Sequence, residues 1–122
     1  PVPTPEEFIE GKRSYEHDDL PNVYLQLQRR VEEQFPTRAT LLKMTSVEAA
    51  AQFADGSLDF VFIDDDHGEP GVRASIQAWR PKVRSGGCLC GHDMHLPGVK
   101  AAVEALVPGH TLHKQHVWAK VI

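Results

Sequence analysis

A chain of 122 residues is expected to form one domain with a single modest core, and 41% apolar and 25% charged residues are ordinary for a soluble globular protein. A net charge of −4 provides no basic footprint and argues against nucleic acid as the main partner. No apolar run approaches a membrane span and no signal-peptide pattern opens the sequence, so a cytoplasmic setting is expected; the start at Pro1 rather than Met fits a processed product or a fragment.

Residues 1–19 begin with three prolines in five positions and continue polar, which predicts an extended arm with at most a turn of helix around 6–10. From Leu20, the apolar positions Leu20, Tyr24, Leu27, Val31 and Phe35 recur at steps of four, three, four and four, the stripe of an amphipathic helix. Asp18 or Asp19 can cap that helix, Pro21 suits its first turn, and Pro36 stops it. Residues 39–44 suggest a short strand. Thr45-Ser46-Val47-Glu48 has the form of a capping box opening a helix through Phe53, and Asp55-Gly56-Ser57 is a turn.

The central stretch, 59–93, carries the organisation. Phe60, Val61, Phe62 and Ile63 are aromatic or β-branched, as a strand buried on both faces requires. Val72, Ile76, Trp79 and Val83 then mark one stripe of a helix, with Pro70 in its first turn and Arg80, Lys82 and Arg84 at its end. A second strand is expected at 88–90, with Gly86-Gly87 as the turn into it. Cys88 and Cys90 are read as facing opposite sides of that strand and not bonding each other. Pro97 starts a helix lined by Val99, Ala102, Val103 and Leu106, which Pro108-Gly109 ends; 111–115 and 116–122 read as a terminal hairpin. Strand, helix and strand make a parallel unit, and ligands of open α/β sheets lie beyond the carboxyl ends of the strands. Asp64-Asp65-Asp66-His67 and His92-Asp93 both fall there.

DGSLDFVFIDDDH, AWRPKVRSGG, CLCGHD and PGVKAAVEAL, in that order, resemble the second half of class I S-adenosylmethionine-dependent methyltransferases, closest to the small-molecule O-methyltransferase-like group, over residues 40–122. The resemblance implies an α/β fold: a partial Rossmann-like methyltransferase sheet, mostly parallel with an antiparallel C-terminal hairpin, its first βαβ unit missing. The implied domains are an arm at 1–19 and a single incomplete methyltransferase-like domain at 20–122. Such enzymes begin with a strand and a glycine-rich cofactor loop. Here the only glycine before Gly56 is Gly11, in a polar stretch. Loss of the first strand, which would lie beside the 59–63 strand, is expected to leave apolar edges exposed. A homo-oligomer, or a missing N-terminal half, is the expected partner.

Site residues follow from the same resemblance. Asp64 and Asp93 match the positions that hold Mg²⁺ in catechol-type relatives, and His92 replaces an acid there, which moves the preference towards Zn²⁺, Mn²⁺ or Fe²⁺. His67 is the candidate general base, with Asp64 beside it in the catalytic set. Thr45, Ser46, Asp64 and Asp65 would contact S-adenosylmethionine. Other roles stand beside these: strand-ending and helix-capping acids, a His67 that bonds a loop, and Thr45 and Ser46 as helix caps. His95, His110, His113 and His116 are read as surface histidines, and Trp79 and Trp118 as core. The expected function is methyl transfer to the oxygen of a small-molecule acceptor, by this chain or by a truncated copy of such an enzyme. The alternative is a non-catalytic oligomerisation or interaction domain derived from the same fold.

Overall fold

The computed structural model describes residues 20–122, so the arm at 1–19 and the Asp18 or Asp19 cap lie outside the described residues. The chain divides into two compact units, Pro1–Lys43 and Met44–Ile122. In the first, helix α1 spans Leu20–Gln34, with Pro21 in its first turn, and no residue of it is buried. Its half-buried positions are Leu20, Tyr24, Gln28 and Val31, whereas Leu27 is 44% exposed. Phe35 N–H still donates to Val31 O at 2.9 Å before Pro36 ends the run. Residues 39–44 form no strand. A short run becomes a strand only where a neighbour completes its hydrogen-bond ladder, and none does so among the described residues.

The second unit opens with α2, Ser46–Ala50, and its capping box is formed: Glu48 N–H donates to Thr45 Oγ1 at 3.2 Å, and Thr45 N–H to Glu48 Oε2 at 3.1 Å. The helix closes earlier than the expected Phe53, because Gln52 and Phe53 turn back to the carbonyls of Ala49 and Ala50. Strand β1 covers Leu58–Ile63 after a turn at Gly56, whose φ of 68° suits glycine. Helix α3 covers Glu69–Trp79 and buries Val72 and Ile76. A 3₁₀ turn, Arg80–Lys82, then leads into β2, Val83–Gly91. Val83 thus reaches the core from the strand rather than from the helix. Gly86 and Gly87 lie inside β2, where pairing slips from Leu58↔Val83 to Phe60↔Cys88, and Gly86 takes a φ of 83°. Helix α4, Pro97–Leu106, buries Val99, Ala102 and Val103. Strands β3, Thr111–His113, and β4, Val117–Val121, form the expected hairpin, with Lys114 and Gln115 left-handed at its turn.

The sheet runs β1-β2-β4-β3, with β1 and β2 parallel and the other two pairings antiparallel. One face carries the core: Val61, Ile63, Leu89 and Trp118 pack with Val72, Ile76, Val99 and Val103 of the helices. The opposite face carries Phe60, Phe62 and Val121, which are 59%, 46% and 69% exposed. The expectation of a β1 buried on both faces fails there, since no layer of this unit covers that side. The expectation that Cys88 and Cys90 face opposite sides of the strand fails as well. Side chains alternate along a strand with a period of two, so Cys88 and Cys90 share a face. Both are free, and the Cys90 thiol is pushed up to about 11, first by burial and then by the Cys88 thiol beside it.

Candidate functional site

Parallel pairing of β1 with β2 brings their carboxyl ends together, and His92 N–H donates to Ile63 O at 3.1 Å across the join. Asp64 leaves β1 there, and His92 and Asp93 leave β2. One ligand atom from each of the three lies within 4.8 Å of the others. Asp93 adopts a left-handed backbone (φ 64°), a conformation Asp tolerates better than most residues. Its carboxylate is gripped from both sides: Oδ2 lies 3.0 Å from His67 Nε2, and Oδ1 lies 3.0 Å from His92 Nδ1. The loop that presents His67 is shaped by Asp66, whose Oδ1 accepts from the N–H groups of His67 (2.7 Å) and Gly68 (3.1 Å). Asp66 therefore serves the turn ahead of α3, which has no side-chain cap of its own.

Although the Asp64 side chain is largely in solvent, its carboxyl is raised above the ordinary value near 3.8. Partial burial is the main cause and the Asp93 carboxylate the next, while His92 and His67 pull the other way. Two carboxylates that disfavour each other's charge, with an imidazole alongside, are what a divalent cation would relieve. The donor set therefore fits such an ion, on condition that His92 turns its Nδ1 from Asp93 or offers its other nitrogen.

The residues expected to contact a cofactor lie beside this cluster. A cleft of about 360 Å³ runs along β1, lined by Ser46, Phe60, Phe62, Asp64, Asp65 and Trp79 among others. Ser46 Oγ accepts from Trp79 Nε1 at 2.8 Å, and Ser75 Oγ lies 3.3 Å from Ser46 Oγ and donates to Asp65 Oδ2 at 2.5 Å. This network ties α2, α3 and the end of β1 together. Thr45 is taken up by the capping box and does not line the cleft. Sequence reading missed a further pairing: His95 and His116, 21 positions apart, meet at 2.9 Å between their Nδ1 atoms. Only the hairpin's packing against the loop after β2 creates it, and no spacing in the sequence signals that.

Parallel strands that deliver acids and histidines at one edge, backed by crossover helices, define a Rossmann-like α/β protein. The sequence profile of the methyltransferase domain family matches residues 9–94, more than half of the chain, and the chain belongs to that family. The match begins well before residue 40, where the resemblance in the sequence starts, and takes in α1. No curated protein matches. Among solved structures, the chain is similar to a Corynebacterium glutamicum protein whose crystal structure was determined in a structural genomics programme. Identity is 17% and the TM-score 0.62, over 84% of this chain and 57% of that one. At that identity the likeness concerns the fold alone. This chain spans little more than half the length of that structure.

Proposed function

We propose that the chain is an S-adenosylmethionine-dependent methyltransferase, or the metal-and-acceptor side of one, acting on an oxygen of a small molecule. The observation that carries the reading is the convergence of Asp64, His92 and Asp93 at the carboxyl ends of β1 and β2, with His67 held on Asp93. S-adenosylmethionine supplies an electrophilic methyl group for in-line attack by the acceptor. A divalent cation on Asp64, His92 and Asp93 would orient the acceptor hydroxyl and lower its pKa. His67 takes the acceptor's proton, and Asp93, 3.0 Å away, holds the ring and stabilises the charge it gains. Ser46 and Asp65, which line the cleft, would border the adenosine. Much of the rate would come from alignment, since orientation alone contributes about 7–11 kcal/mol in well-aligned transfers.

Among the described residues no strand precedes β1, and Gly11 is the only glycine before Gly56, so the methionine end of the cofactor would be held by a second copy or by a complementary segment. The uncovered sheet face with Phe60 and Phe62 supports that part of the reading. Titration calorimetry of the chain with S-adenosylmethionine, with and without Mg²⁺ or Zn²⁺, tests it. Saturable micromolar binding that weakens in Asp65→Asn is expected, followed by methyl transfer that falls in His67→Ala. Absence of binding on folded protein overturns the enzyme reading for this chain and favours an interaction domain built on the same fold.

A further inference from the structure

The methyl-transfer reading leaves one cluster unused. His95 lies on the loop between β2 and α4, and His116 on the turn between β3 and β4. Their Nδ1 atoms are 2.9 Å apart, and their rings meet edge-on at 87° with centroids 4.6 Å apart. Both side chains are exposed. The backbones beneath them are joined, because Met94 N–H donates to His116 O at 3.0 Å. The His92 ring stands 6.3 Å from that of His116, so the pair borders the Asp64–Asp93 cluster without belonging to it.

Two neutral imidazoles in this arrangement share one proton between their Nδ1 atoms. When the donor moves its proton to Nε2, the two Nδ1 lone pairs are left facing each other, and rotation of the exposed rings turns both towards one ion. A tetrahedral zinc ion with bonds of ~2.0–2.1 Å sets two nitrogens roughly 3.3 Å apart, so the separation must grow by only a few tenths of an ångström as the rings turn. We propose that His95 and His116 form a second divalent-metal site, selective for a borderline ion such as Zn²⁺ or Ni²⁺. Imidazole donors match those ions, whereas Mg²⁺ prefers oxygen. The bound ion clamps the terminal hairpin to the loop that presents Asp93, two residues before His95. This site stands independently of the methyltransferase reading.

Calorimetric titration of the full 122-residue chain with Zn²⁺ and with Mg²⁺, beside His95→Gln, His116→Gln and Asp64→Asn, tests the proposal. The expected result is a Zn²⁺ site that Mg²⁺ does not fill and that survives Asp64→Asn. In either histidine variant its affinity should fall by roughly 10- to 100-fold or more, the range seen when only an outer-shell partner is removed. Nitrogen-15 spectra of the unsubstituted chain read the same site without any variant, through paired shifts of the two Nδ1 signals on Zn²⁺ addition. Zn²⁺ affinity unchanged in both histidine variants, or Nδ1 signals that stay in place, overturns the proposal.

Discussion

At Asp64 the proposed metal-holding role and stability oppose each other within one side chain. Its folded-state pKa lies above the ordinary value near 3.8, through partial burial and the neighbouring Asp93 carboxylate. A carboxyl shifted in that direction favours the folded state while it is protonated. That contribution is fully present below the unfolded value and is lost as pH rises through the folded one. At neutral pH the native protein therefore carries an unfavourable charge at this position. Asp64→Asn removes the charge, and its amide donates to Asp93 at any pH. The variant is expected to melt at a higher temperature than the native chain at pH 7 in metal-free buffer, with the difference shrinking as pH falls through the folded value and gone below the ordinary value near 3.8. Added Mg²⁺ or Zn²⁺ should raise the native chain's melting temperature through this cluster and leave that contribution absent in the variant. A variant no more stable at pH 7 than at pH 3, relative to the native chain, contradicts this account.

At the scale of elements, the site depends on how closely α4 approaches the loop after β1. A Cβ on Gly98 would meet His67 O and come within 2.8 Å of Glu69 N, both of them backbone atoms that cannot swing aside. Alanine is worth up to ~1 kcal/mol over glycine within a helix, but overpacking against fixed atoms costs about 1–3 kcal/mol, so the clash wins. Gly98→Ala is expected to lower unfolding free energy in urea by about 1–2 kcal/mol and to loosen the hold of His67 on Asp93. A neutral or stabilising result would mean that the loop yields. The sequence made much of this arrangement legible. Apolar periodicity located α1, α3 and α4, the apolar run located β1, and the capping box located the start of α2. The parallel crossover placed Asp64, His92 and Asp93 at one edge. Contacts set by tertiary packing were not legible. Gly86 is a strand bulge rather than an approach turn because its N–H finds Ile122 O, 36 residues later. The strand suggested at 39–44 depended on a neighbour that its own composition could not supply. The His95–His116 pair required the hairpin to fold over first.

At the scale of the whole molecule, the sheet of the second unit is covered on one side by that unit's own helices. Parallel strands are ordinarily buried on both faces, and a free strand edge is a template for pairing. β1 pairs only with β2 among the described residues, and Phe60 and Phe62 stand 59% and 46% exposed on the uncovered face. Together they leave roughly 200 Å² of aromatic surface per copy, or ~400 Å² between two copies, worth about 10 kcal/mol if fully removed from water. Association itself costs about 4–15 kcal/mol, so the two terms nearly cancel. The balance predicts weak, concentration-dependent self-association of the isolated chain rather than a tight dimer. Phe60→Lys combined with Phe62→Lys should shift it to monomer in sedimentation velocity with little change in melting temperature, because neither ring belongs to the buried core. If the native chain stays monomeric at high concentration, the face does not drive self-association. If the double variant loses stability as well, the two rings support the fold itself.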